Sequence, residues 1–204
     1  MKRIFVLAVI LIGAVCSASA QYYYGANNNN NNGPVAKFGF GITSGFGVGP
    51  VSNAYPEAGG LSLKLELPVS KSPLSVVFST GYTFYASDGG YGLDVGTDGY
   101  GGSSYYDGSI ASFIPVEAGL KLYVAPHLFL EAEAGVSFNV NTYAEDYTGK
   151  TTDFIYTPAI GYTLPFGFSR KQALDVTLFY ENRPETGGGY SQIGLGALWN
   201  FGLK

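Results

Sequence analysis

From Lys37 onward, apolar side chains recur at every second position in a series of short stretches. A period of two belongs to strands, whose successive side chains point to opposite faces. The clearest stretch is 61–67, where Leu61, Leu63, Leu65 and Leu67 alternate with Ser62, Lys64 and Glu66. The stretch 128–141 sets Leu128, Leu130, Ala132, Ala134, Val136 and Phe138 against Glu131, Glu133, Gly135, Ser137 and Asn139. Others fall at 37–47, 75–85, 113–124, 154–164 and 174–181, and a last one runs from Ile193 to the C-terminus. Pro158 makes the 154–164 stretch the least regular. The expected fold is all-β: a single antiparallel transmembrane β-barrel of about eight strands, connected as an up-and-down meander.

The links support a barrel that crosses a membrane. Short links fall after the second, fourth and sixth strands, at 70–73, 125–127 and 166–172. Longer ones fall after the first, third, fifth and seventh, at 48–57, 86–110, 142–153 and 184–189. Outer-membrane barrels have this asymmetry, with short periplasmic turns and long outer loops. An even strand count brings both ends to the periplasmic side. Charge follows the same division. The long links carry Glu57, Asp88, Asp94, Asp98, Asp107, Glu145, Asp146, Asp153 and Glu185 against Lys150 alone, whereas the short links carry Lys71, Arg170 and Lys171 and no acid.

Ahead of the barrel, Lys2 and Arg3 precede an apolar run from Ile4 to Val15, and Ala18 and Ala20 stand in the relation that a signal peptidase reads. Residues 1–20 are therefore expected to be a signal peptide, 21–35 a flexible Tyr/Asn-rich tail, and 36–204 the barrel domain. The apolar run falls short of the roughly 20 residues that a spanning helix requires. Val15 and Gly13 do not fit a lipobox around Cys16, and the mature chain has no other cysteine. Export to the outer membrane of a Gram-negative bacterium is the expected localisation. The formal net charge is −4, and losing Lys2 and Arg3 with the leader makes it two more negative. Such a chain has no basic patch for nucleic acid.

Only 13% of residues are charged, against about 25% in soluble domains. The polar strand faces mix Gly, Ser and Thr with sparse charges of both signs. A soluble barrel crowds that face with Lys and Glu; a small membrane barrel buries it in a lumen filled by side chains. Lys64, Glu66, Glu117, Lys121, Glu131, Glu133, Asp175, Glu181 and Arg183 are accordingly expected to form a structural lumen network, with Lys121 nearest Glu131 and Glu133. Tyr82, Phe84, Tyr123, Phe129, Phe138, Tyr162, Phe166, Phe168, Tyr180, Trp199 and Phe201 are expected in interfacial girdles.

With strand count, loop asymmetry and the final segment from Gln192 to Phe201 in hand, residues 37–204 resemble the small outer-membrane barrel family typified by the OmpA transmembrane domain and OmpX. The resemblance implies a C-terminal insertion signal formed by Gly196, Trp199 and Phe201, although Gly202, Leu203 and Lys204 follow where the family ends on an aromatic. It implies outer-membrane lipid and the barrel-insertion machinery as partners. An extracellular or periplasmic protein partner is also expected, its identity unknown. It names no activity, because one fold hosts many functions.

Catalysis is not expected. Barrel hydrolases and acyltransferases use a His with Ser and a carboxylate near the outer rim, but the only histidine, His127, falls in a short link beside Pro126. No cofactor is expected. Gly89-Gly-Tyr-Gly-Leu-Asp94 matches the opening of a calcium-binding nonapeptide, yet Gly96 stands where a large apolar residue belongs, and there is one copy. Asp88, Asp94, Asp98 and Asp107 are the candidate oxygen ligands, and the segment reads as a surface loop, not a metal site. The expected role is structural or surface interaction through long acidic Tyr/Gly-rich loops. The alternatives are a narrow OmpW-like transport barrel for small or apolar solutes and a soluble lipocalin-like binder.

Overall fold

A computed structural model describes residues 35–49, 52–69, 72–87, 110–140, 151–166, 172–184 and 189–203. The expected signal peptide, residues 21–34 of the tail, and most of the long 86–110 and 142–153 links, with Asp88, Asp94, Asp98 and Asp107, lie outside the described residues. Eight strands form one closed sheet: β1 (Lys37–Val48), β2 (Glu57–Pro68), β3 (Leu74–Ala86), β4 (Ile110–Tyr123), β5 (Leu128–Asn139), β6 (Thr152–Phe166), β7 (Gln172–Arg183) and β8 (Tyr190–Gly202). Each pairs antiparallel with the next, and β8 closes on β1. The architecture is the expected up-and-down meander, and closure leaves no edge strand exposed.

Register follows from the alternation. Phe40 on β1 faces Leu63 on β2 and Trp199 on β8, so apolar positions line up on one side of the sheet around the seam. A slip of one residue would turn all of them over to the other face. Several inner-face glycines are required by close approach. A Cβ on Gly41 would lie 2.1 Å from the Ala197 carbonyl oxygen, and one on Gly119 equally close to that of Ala132. Gly49 ends β1 with φ of 84°, a conformation most residues avoid. Its carbonyl accepts from the Ser52 N–H and hydroxyl.

Two expectations about boundaries are corrected. β2 begins at Glu57, because Ala58, Gly59 and Gly60 pair with Tyr85, Phe84 and Thr83 on β3; these small residues carry no alternation to read. Asp153 belongs to β6 opposite Ser137, not to the preceding link, and is buried. Of the four prolines within the strands, two that lie in strand interiors, Pro115 and Pro158, coincide with gaps in a ladder. Between β6 and β7 the pairing runs from Tyr156 with Asn182 to Ala159 with Phe179, skipping Pro158. Between β3 and β4 it skips Pro115, whose carbonyl instead accepts from the Thr80 hydroxyl at 2.9 Å. Proline has no N–H to give a ladder.

Candidate functional site

The outer surface of the barrel is apolar and the inner surface is polar. Phe46, Ile42 and Leu61 are 73%, 63% and 62% exposed, while Lys121 and Arg183 are 1% and 0% exposed. Among the described residues, every Lys and Arg sits on the lumen face, and so does every acid except Glu57 at the start of β2. The apolar outer positions of β5 run from Leu128 to Phe138. At about 3.3 Å per residue and a ~40° tilt they cover roughly 25 Å.

The lumen groups form three levels. At the end of the short links, Lys121 donates to Glu66 at 3.0 Å and to Asp175 at 2.5 Å. Lys37 also reaches Glu66, at 3.1 Å. The Ser75 hydroxyl supports Glu66 and the Thr163 hydroxyl supports Asp175. Tyr123 and Phe129, expected in an outer girdle, instead point into the lumen, 4% and 0% exposed. Their rings lie 5.2 Å and 4.0 Å from the Lys121 ammonium. Parity explains the correction: both sit on the charged face of their strands, and a cation over a ring face gains from its quadrupole.

In the middle level, Lys64 lies between Glu131 and Glu133, donating to both, the latter at 2.6 Å. The Ser79 hydroxyl also donates to Glu133. This corrects the expected pairing of Lys121 with these two acids. Lys121 faces Glu131 across the ladder, but its long stem carries the ammonium across the lumen to β2 and β7. Glu117 accepts from the Thr157 hydroxyl at 2.9 Å and has no ion pair among the described residues. A cavity of about 90 Å³ opens here. Ligand pockets run about 300–1,000 Å³, so this space suits a few waters.

At the end of the long links, Arg183 donates to Glu181 at 2.6 Å, to the Tyr85 hydroxyl at 2.9 Å and to the Ser137 hydroxyl at 2.8 Å. Gln192 donates to the same Glu181 oxygen at 2.8 Å. The guanidinium lies 4.6 Å from the Phe113 ring centroid. Tyr55, Ala58, Tyr85, Ala111, Phe113 and Tyr190 pack into one buried cluster.

The nine lumen residues named from the sequence are thus all on the inner face, divided among three clusters. Sequence reasoning missed Lys37, Asp153 and the aromatic cluster. Lys37 was findable, because it shares the odd-numbered face of β1 with the glycines. Tyr55 was not, since it lies in a link. Of the C-terminal residues, Gly196 faces inward, whereas Trp199 is 40% exposed on the outer face. Trp199 stacks beside Phe201, which stacks on Phe40 across the seam, at 6.2 Å and 5.9 Å between ring centroids. Tyr82, Phe84, Phe138 and Tyr162 also face outward. His127 packs against Tyr162 at 5.6 Å.

No family profile matches the sequence, and no curated protein matches it. Among solved structures the chain is similar to the outer membrane protein Ail of Yersinia pestis in a phospholipid bilayer nanodisc. The identity is 14% and the TM-score 0.48, over 83% of this chain and 100% of that one. It is also similar to the N-terminal β-barrel domain of Pseudomonas aeruginosa OprF, at 15% identity and a TM-score of 0.43, over 83% and 100%. For outer membrane protein AlkL in lipid bilayers the values are 13% and 0.45, over 87% and 94%. These likenesses concern the fold, and at such identities and scores nothing about a ligand or partner passes through them.

Proposed function

We propose that this chain is an outer-membrane barrel of a Gram-negative bacterium with a structural or surface-interaction role, holding its long acidic links on the outer side over a closed, side-chain-filled lumen. The inverted polarity carries this reading. Soluble monomers rarely expose contiguous apolar patches beyond a few hundred Å², and here the apolar band encircles the barrel. A Lys or Arg on a lipid-facing position at the midplane would cost about 2–4 kcal/mol, and the described strands place none there. Backbone polar groups must be paired within lipid, and a closed barrel pairs them. The reading includes no catalysis and no cofactor. Loops on a rigid scaffold are where binding is commonly built, so the partner surface is assigned to the long links, and the partner to an extracellular protein.

Fractionation tests this directly. The protein is expected to stay in the membrane pellet after an alkaline carbonate wash, to need detergent for solubility, and to migrate differently on gels before and after boiling. Release by carbonate would return the chain to the soluble binding-barrel class.

A transport role is the second reading, and the two ladder interruptions at Pro115 and Pro158 are what favour it. The narrow, charged lumen weighs against it. Purified protein in planar bilayers is expected to give no stable conductance; reproducible single-channel steps would reverse the order of the two readings.

A further inference from the structure

Thr157 on β6 stands where three acids meet. Its register partner on β5 is Glu133. Glu181 on β7 comes level with it on the other side, within the gap that the β6–β7 ladder leaves beside Pro158. Residues opposite one another on one face of a sheet have Cβ atoms about 4.5–5.5 Å apart, so these side chains share one row of the inner wall. From β4, Glu117 reaches the same row and accepts from the Thr157 hydroxyl at 2.9 Å. Glu117, Glu133, Thr157 and Glu181 all line the central cavity of about 90 Å³.

The charges around this cavity do not balance. Nearer the short links, Lys37 and Lys121 meet Glu66 and Asp175. Among the described residues, that leaves Glu117, Glu131, Glu133 and Glu181 around the cavity against Lys64 and Arg183. Lys64 is engaged by Glu131 and Glu133, and Arg183 by Glu181. Glu117 is 8% exposed. One of its oxygens accepts from Thr157, and the other has no partner among the described residues. Tyr85, Arg183 and Gln192 all donate to a single oxygen of Glu181, and no described residue donates to its second oxygen. A buried charge is costly unless it is paired. Two carboxylates, each with an unused oxygen, thus line a space whose wall also carries the hydroxyl residues Thr43, Ser79, Thr83 and Thr177.

We propose that the cavity binds one hydrated divalent cation of the magnesium type, held by Glu117 and Glu181. Hard cations take oxygen ligands, and magnesium keeps several of its waters and is commonly held by one or two carboxylates. Among the described residues, no three acidic, His or Cys side chains are placed to hold a metal ion, and an ion on two carboxylates that retains its water needs no third. Two positive charges offset the two negative charges in excess around the cavity, where a monovalent ion would leave one. The ion ties β4 to β7 across the lumen, at the height where the β6–β7 ladder is interrupted. The site depends on the lumen and not on a surface role, so it stands or falls separately from the reading above.

Urea unfolding of the protein in detergent micelles tests it, at fixed pH, in about 10 mM MgCl2 or in NaCl of equal ionic strength. Magnesium is expected to lower the unfolding equilibrium constant about tenfold relative to NaCl, as a dissociation constant near 1 mM requires. Glu117→Gln keeps the shape and an acceptor for the Thr157 hydroxyl but removes the charge. It is expected to reduce the magnesium effect to less than about twofold. Glu117→Ala reads the same loss where the Gln variant does not fold. Equal unfolding constants in the two salts for the unaltered chain would overturn the proposal. A full magnesium effect in folded Glu117→Gln would place the ion elsewhere, on the acidic links, and overturn it equally. A constant that responds to pH but not to magnesium, and loses that response in Glu117→Gln, would show a proton in place of the cation and exclude the metal.

Discussion

Lys121 shows why a single side chain in this lumen outweighs a larger one on the outer wall. Its ammonium serves Glu66 and Asp175 on two distant strands and lies against the faces of Tyr123 and Phe129. Lys121→Met would leave Asp175 with the Thr163 hydroxyl and no cation among the described residues, while Glu66 would keep Lys37. Stranding one member of a buried pair costs about 3–5 kcal/mol, because the remaining charge stays desolvated. The neighbouring Leu120 is 50% exposed on the outer face, and lipid is as apolar as the side chain it would lose. Leu120→Ala is therefore expected to cost clearly less. Urea unfolding of both variants in lipid or detergent makes the comparison, and a larger loss for Leu120→Ala would mean that inside and outside have been exchanged.

Among the elements, β6 departs most from the regular pattern, and Pro158 is the reason. Where its N–H is missing, the β6–β7 ladder is broken opposite Tyr180 and Glu181. Backbone amides of β7 at that gap are expected to exchange with deuterium faster than those at Thr177 and Leu178, which face Gly161 and Ile160 in an intact ladder. Pro158→Ala should restore a donor and slow exchange around the gap by up to about tenfold, since a net hydrogen bond contributes about 1 kcal/mol. Equal exchange on both sides of the gap would show that the break has no energetic consequence. The disturbance caused by Pro158 was legible in the sequence, as was the leucine face of β2, because each rests on side-chain identity at a known parity. The opening of β2 at Glu57 was not, since two successive glycines present no contrast between faces. Tyr123 and Phe129 were misplaced for a related reason: an aromatic ring suits both a membrane interface and a lumen that holds a cation, and only closure of the barrel decides between them. Parity also assigned the lumen charges to one face but could not match partners. Pairing across a lumen depends on stem length and on which strands face one another, as Lys64 with Glu131 and Glu133 illustrates.

For the whole molecule, the meander fixes where each link emerges before any link conformation is known. The links after β4 and after β1 leave from opposite ends of the barrel, because successive strands run in opposite directions. Protease added to intact cells is therefore expected to cut within the 86–110 link and to spare the short ones. Protection of that link until the membrane is opened would invert the proposed orientation. The ring that results also has an unusual property at its seam. β1 pairs with β8 over twelve consecutive positions from Lys37 to Val48, and the Leu203 N–H continues the ladder to the Ala36 carbonyl at 2.7 Å. The two ends of the barrel are thus already neighbours, and the join between them is held like the other seven. A circular permutant that bridges residues 36 and 203 with a short peptide, and is cut instead in the 124–127 turn, would present the same set of strand partners.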